Sequence, residues 1–346
     1  MVVGQRPGIR FVPSPRLVVP GSRRLTLAMN YAASVLDLVG NTPLLALDRI
    51  NQDGGARVLG KCEFLNPIAI KDRPALWMIR EAEKRGEIGP GTTLVEATSG
   101  NTGMALAYIG RMRGYRVILC MSEIQSLERR RVLRALGAEL VLTPKELGTK
   151  GAKAKAVEIH EGMPGSFYVC QHDNMDNRLA HLETTGPEIW RDTEGRIDLF
   201  VAPLGTGGTL CGVAEALKPL KPELRTVGVE PAEAPFVSQG RFQPHRMMGT
   251  APGFMPGVLD RDLIDEIRLV SEEDAFRTCR ELAEREGILV GISSGASVRA
   301  ALELAASPEN EGALIVCVLC DSGERYLSVE GLFDRVADSG ALPGGS

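Results

Sequence analysis

Lys71 lies in the stretch NPIAIKDRPAL, residues 66 to 76, between an apolar tripeptide and the pair Asp72–Arg73. An amphipathic run follows, with Pro74 placed for a first helical turn. The amino end of a helix carries positive partial charge and disfavours a cation. A lysine there is either an ordinary solvated side chain or an amine with a destabilised charged form, as a Schiff-base former requires. Three further stretches carry groups suited to chemistry. GTGGT (205–209) has glycines that let main-chain N–H groups approach an anion, and threonine hydroxyls to add donors. TSGNTG (98–103) gathers hydroxyls, an amide and N–H groups around one point, which suits a carboxylate. In VCVLCDSGERYL (316–327) a hydrophobic run drops into Asp321-Ser322-Gly323, where a hydroxyl at a strand end can meet a ligand.

Each stretch also has a plainer reading. GTGGT could be a tight glycine turn, and it has neither the GxGxxG spacing nor the Gly-Lys-Ser/Thr of a Walker loop. TSGNTG could be a helix capped by Thr98, Ser99 or Asn101, and Asp-Ser-Gly is good turn chemistry. Together, however, a phosphate cradle, a carboxylate loop, a strand-end serine and a lysine at a helix mouth are what a pyridoxal phosphate enzyme acting on an amino acid needs. The lysine would form the Schiff base, with its charge weakened by the helix end and nearby dipoles.

The elements that must position these groups can be read from hydrophobic runs. Strands are expected at 92–97, 115–121, 138–143, 166–171, 199–204, 225–230, 266–271 and 313–319. Helical patterns lie between them, near 72–85, 102–113, 126–136, 150–160, 178–190, 207–218, 272–286 and 294–306. Strict alternation implies α/β architecture with parallel sheets covered on both faces, and so many strands suit two doubly wound, Rossmann-like domains. TSGNTG and GTGGT each join a strand to a helix. In such folds ligands bind outside the carboxyl ends of strands, at helix N-termini.

Composition narrows the class. The 346 residues are 44% hydrophobic and 24% charged, and no apolar stretch is long enough for a membrane span. A net charge of −4 argues against broad nucleic-acid binding. Seven scattered cysteines suggest reduced thiols and a cytoplasmic setting. Cys317 and Cys320 form a CxxC, but within a buried strand residues three apart face opposite sides, and no metal site is expected. Residues 1–28 hold five arginines, four prolines and no acidic residue. They read as a disordered or non-native extension, with Met29 as an alternative start, or else as a transit peptide.

LVGNTPLL (38–45), NP…KDR (66–73), EATSGNTG (96–103), SLERRRVLRALGAELVLTP (126–144), ETTGPEIW (183–190), GTGGT, VGISSGA (290–296) and DSGERYLS (321–328) follow one another in order. From about 34 to 333 the chain thereby resembles the cysteine synthase (O-acetylserine sulfhydrylase) and cystathionine β-synthase family of fold-type II pyridoxal phosphate enzymes. The resemblance implies a smaller substrate-binding α/β domain over 67–174. It implies a larger cofactor-binding domain from 29–66 and 175–335, with a tail at 336–346. Lys71 would form the internal linkage to pyridoxal 5′-phosphate and act as acid and base at the substrate Cα. Asn101 would hydrogen-bond the cofactor's 3′-oxygen, Gly205, Thr206, Gly207, Gly208 and Thr209 would hold its phosphate, and Ser322 would face its pyridine nitrogen. Thr98, Ser99, Thr102 and Gln171 would receive the substrate carboxylate, with His172 and Gly253 near the substrate.

The implied reaction is β-replacement on an O-activated L-serine through an aminoacrylate, with O-acetylserine and sulfide giving cysteine. Alternatives are a different nucleophile (an amine, cyanide or a larger thiol) and a simple β-elimination lyase. A homodimer and a serine acetyltransferase-like partner are also implied, without a regulatory or haem-binding extension.

The departures from the family pattern cluster where leaving group and nucleophile are chosen. NPIAIK is one residue shorter than usual before the lysine and lacks a serine; His172 replaces an aromatic; the usual GIGAGF reads GTAPGF (249–254), stiffened by Pro252; and QHDNMDNRLAH (171–181) alters an asparagine–proline spacing. His172 is either a proton carrier for the nucleophile near neutral pH or a wall residue bonded to backbone. Arg129, Arg130 and Arg131 read as a solvated helix face, and Trp77 and Trp190 as core or interface.

Overall fold

A computed structural model describes residues 31–98 and 100–334; the expected 1–28 extension, the 336–346 tail and Ser99 lie outside the described residues. In chain order the strands are β1 (Leu44–Ala46), β2 (Arg57–Cys62), β3 (Thr93–Ala97), β4 (Arg116–Ser122), β5 (Glu139–Thr143), β6 (Ser166–Tyr168), β7 (Leu199–Pro203), β8 (Arg225–Pro231), β9 (Glu266–Val270) and β10 (Leu314–Leu319). The α-helices are α1 (Asp72–Arg85), α2 (Asn101–Met112), α3 (Leu127–Ala135), α4 (Gly148–Glu161), α5 (Asp176–Ala180), α6 (Gly186–Asp192), α7 (Gly208–Leu217), α8 (Phe236–Gln239), α9 (Glu272–Glu281) and α10 (Ile292–Ala305).

Two sheets result. One has six strands in the order β1-β2-β10-β7-β8-β9, parallel except for β1, which runs antiparallel to β2. The other is parallel throughout, in the order β5-β4-β3-β6. Their central strands read as unbroken apolar runs because both faces are covered; every residue of β3 is buried, as are five of six in β10. The larger sheet packs α10 and α9 on one face, with Val201, Val227, Ile315 and Cys317 against Ala296 and Ala300. On its other face Phe200, Val316 and Val318 meet Leu210 and Val213 of α7. The smaller sheet buries Leu94 and Leu119 against α1 and α2. Ala75, Leu76, Ile79 and Ala82 form the buried face of α1 that the amphipathic run predicts. No helix among the described residues is long and apolar enough to cross a membrane.

The expected alternation agrees with these elements except where local chemistry intervenes. β1 and β2 are absent from the sequence reading, because β1 has three residues and β2, RVLGKC, carries a glycine and a lysine. Gly60 fits there because a Cβ would come within 2.6 Å of Leu319, and Lys61 is buried through an ion pair with Glu188 at 2.7 Å. β6 ends at Tyr168 rather than at Gln171, since Cys170 takes φ +54° and turns the chain. π-helical turns interrupt the expected helices at His181–Thr185 and Leu282–Glu286. The solvated arginine face needs correction at two of its three positions. Arg131 is exposed, but Arg130 is half-buried with its guanidinium on the Glu123 carbonyl, and Arg129 is half-buried and donates to Gln125 Oε1 (3.2 Å) and Met248 Sδ (2.7 Å). Trp77 is half-buried, with its indole N–H on Glu183 at 2.8 Å.

Candidate active site

Lys71 is the residue immediately before α1, and the short IAI segment that delivers it is tied down from three directions. Asp72 Oδ2 accepts from the Ile68 N–H at 2.7 Å, Arg325 donates to the Ile68 carbonyl at 2.7 Å, and the Ile70 N–H donates to the Cys320 carbonyl at 2.9 Å. The lysine is thereby stitched to the end of β10. Beneath it lies a buried ion cluster. Arg73 grips Glu63 through Nε (2.7 Å) and Nη2 (2.8 Å), and reaches Glu188 through Nη1 at 2.7 Å. Lys61 completes the cluster by donating to Glu188 and to the Thr42 carbonyl. Burial alone would raise the Glu188 carboxyl, but Arg73 and Lys61 outweigh it and hold it at about 2. Burial lowers the Lys71 amine below its ordinary value, although Cys320, Asp321 and Glu63 oppose the shift. The helix mouth alone left the state of this lysine open; burial decides for the destabilised amine.

The other predicted residues are linked by a chain of hydrogen bonds. Asn101, the first residue of α2, donates from Nδ2 to Asp321 at 2.6 Å. Thr102 donates to Gln171 Oε1 at 2.7 Å, and the Gln171 carbonyl accepts from Asn177 at 2.7 Å. Asn177 also donates to Thr206 Oγ1 at 3.2 Å. TSGNTG, Gln171 and GTGGT therefore converge at the strand ends with the lysine segment. Thr98 turns at the end of β3, where its hydroxyl accepts the Gly100 N–H.

Neither α2 nor α7 has a side-chain N-cap, so amide groups at both helix starts are left for an anion. Gly207 sits at φ +83°, in the left-handed region. A Cβ at Gly205 would stand 2.3 Å from the Gly249 carbonyl oxygen, and one at Gly208 2.3 Å from Asn177 Oδ1, itself buried and unpartnered. Thr209 meets His181 Nε2 at 3.1 Å, and the same imidazole meets Thr185 through Nδ1 at 2.8 Å. Burial pushes the His181 imidazole well below its ordinary value. A bare loop at a helix N-terminus, ringed by hydroxyls and amides, fits the dianionic phosphate of pyridoxal phosphate, and the destabilised Lys71 amine fits its aldehyde.

His172 stands on the acceptor side as a wall residue. Its ring meets Phe254 edge-to-face with centroids 4.9 Å apart, and its carbonyl accepts the Val258 N–H. Burial, then the nearby Lys153 ammonium, push the imidazole down to about 4, so it is uncharged near neutral pH. That low value weighs against the proton carrier and toward the wall residue. Gly253, at φ +80°, turns the loop that carries Pro252 and Phe254. Pro252 and Phe254, with His172, Glu96, Lys150 and Lys153, line a cavity of about 80 Å³. A wider cleft of about 570 Å³ opens at the amino ends of β2, β7 and β10, the wrong end of a parallel sheet for this chemistry.

Ser322 is half-buried at the start of the last turn, and its main chain bridges to Val290. Sequence reasoning assigned no role to Ser293, buried in the first turn of α10, or to its neighbour Ser294, whose Oγ accepts the Cys320 N–H at 2.8 Å. Their signal was a second serine-rich helix start, VGISSGA. Cys317 and Cys320 are free thiols, and among the described residues no cluster of metal ligands is present.

Residues 35–321 match the family model described as pyridoxal-phosphate dependent enzyme. The chain is 46% identical to a probable cysteine synthase of Bacillus subtilis over 308 residues, covering 87% of this chain and 98% of that protein. It is 48% identical to cysteine synthase A of Salmonella typhi over 300 residues, 84% of this chain and 92% of that one. Among solved structures, a cysteine synthase of Entamoeba histolytica superposes with a TM-score of 0.85 at 36% identity, covering 96% of each chain. An O-ureido-L-serine synthase superposes at 0.84 and 44%, covering 91% of this chain and 98% of the other.

Proposed function

The chain belongs to the pyridoxal-phosphate dependent enzyme family, and from that premise we propose that it replaces the β-substituent of an O-activated L-serine, forming cysteine from O-acetylserine and sulfide. The observation that carries this reading is the chain of hydrogen bonds joining the Lys71 segment, TSGNTG, Gln171 and GTGGT at the carboxyl ends of both sheets. Bound pyridoxal phosphate supplies an electron sink for the substrate Cα.

The chain's own groups divide the remaining work. Gly205 to Thr209 and the start of α7 bind the phosphate, and Asn101 orients the ring. The start of α2, with Thr98, Ser99, Thr102 and Gln171, receives the substrate carboxylate. Lys71 Nζ, whose charged form burial destabilises, takes the Cα proton as the bond from Cβ to the leaving oxygen breaks and acetate departs. It returns a proton to Cα once sulfide has bonded to Cβ. Ser322 and Ser293 are the two hydroxyls that could face the pyridine nitrogen; the S322A and S293A variants identify the partner by which one shifts the bound cofactor's absorption.

A second reading rests on the acceptor wall. His172, Pro252 and Phe254 enclose space beyond what sulfide needs, which favours a larger nucleophile on the same intermediate state. The 44% identity to an O-ureido-L-serine synthase supports the same breadth. A matrix of O-activated serines and nucleophiles, read by mass spectrometry, separates the two. Sulfide with O-acetylserine should turn over fastest, and a much faster second pair would replace the first reading. The purified protein should be yellow, and borohydride should fix the chromophore to Lys71. The K71A variant should lose that covalent link; an unchanged link would sink the assignment. The proposal extends to a cytoplasmic homodimer with a serine acetyltransferase-like partner, which light scattering and co-purification test.

A further inference from the structure

Asp321 ends the last strand with 1% of its surface exposed, and among the described residues it forms no ion pair. Its Oδ2 accepts two short hydrogen bonds, from Asn101 Nδ2 at 2.6 Å and from the Tyr326 hydroxyl at 2.5 Å, while Oδ1 has no partner. The surroundings are shaped for it. A Cβ at Gly291 would stand 2.1 Å from Oδ1, and the Gly291 N–H donates to the Asp321 carbonyl at 3.0 Å. A buried carboxyl with one oxygen unmatched costs free energy, so fold stability is a poor reason for placing it here.

What it touches is more informative. One Asn101 amide hydrogen is spent on Asp321, which sets the plane of that amide and leaves its other hydrogen and its oxygen for the cleft. Burial raises the Asp321 carboxyl above its ordinary value, against the hydrogen bonds from Tyr326 and Asn101. The Ile70 N–H donates to the Cys320 carbonyl at 2.9 Å, so Lys71 and Asp321 each follow one member of that pair.

Building on the function proposed above, we infer that Asp321 is a positioning residue, which aims the Asn101 amide at the cofactor. Two variants test this. D321N keeps the side chain's shape and an acceptor for Asn101. D321A removes the acceptor.

Pyridoxal phosphate binding, followed by fluorescence, should weaken about tenfold in D321A and little in D321N, and D321A should add nothing to N101A, as expected for residues acting as one unit. Additive losses in the N101A/D321A pair, or a D321N variant weakened as much as D321A, overturn the inference. D321S, whose shorter side chain withdraws the acceptor, takes the place of D321A if the alanine variant does not fold. Absence of the borohydride-fixed adduct at Lys71 in the wild type would instead overturn the parent function.

Discussion

At the scale of single residues, the site is governed by burial acting on charge. Desolvation destabilises the charged forms of both Lys71 and His172, with Lys153 adding to the effect on the imidazole. The same physical cause acts on both, yet the proposed roles differ: Lys71 is the reagent and His172 a wall. An H172F variant should therefore keep the alkaline and neutral limbs of its pH–rate profile. Its effect should fall on the KM for the nucleophile, since the ring packs on Phe254; a lost ionisation between about pH 6 and 8 would refute this. Lys71 was legible from its place at a helix mouth, whereas the neutrality of His172 was not. Burial depends on the Pro252–Phe254 loop, some eighty positions further along the chain.

At the scale of elements, strand ends and helix starts carry the chemistry, and the ion cluster under α1 keeps them in place. Glu188 of α6 ties Arg73 of α1 to Lys61 of β2. E188Q leaves two buried cations poorly matched and should destabilise the protein by about 3–5 kcal/mol in denaturant titration. The pH sign follows from the Glu188 carboxyl, which lies below its unfolded value. The folded state binds fewer protons than the unfolded one between about pH 4.5 and 2, so this contribution is complete above 4.5 and is lost as pH falls through that window. E188Q should flatten that part of the stability profile. The phosphate loop offers a second check. G205A places a methyl 2.3 Å from the Gly249 carbonyl and should weaken pyridoxal phosphate binding on the order of tenfold or more, read by equilibrium dialysis. Neither the ion cluster nor β2 was expected, because a lysine in a short run reads as solvent-facing until its partner on α6 is known.

At the scale of the whole molecule, two parallel sheets place their carboxyl-end loops against one another, and hydrogen bonds cross between them from Asn101 to Asp321 and from Asn177 to Thr206. A ligand held by both sets of loops should stabilise the whole. At a hundredfold excess over its dissociation constant, pyridoxal phosphate adds about 2.7 kcal/mol, so the holoenzyme should melt measurably above the apoenzyme. An identical melting temperature would place the cofactor outside the folded cleft. The alternation of strands and helices, the glycine loop and the lysine were set by local pattern and backbone chemistry, which a single chain displays openly. The pairing of Asn101 with Asp321, the environment of Lys71 and His172, and the hydrogen bond from the Cys320 N–H to Ser294 were decided only in three dimensions. Each depends on how far a group is removed from water and on which distant group meets it there, and neither is a property of neighbours in sequence.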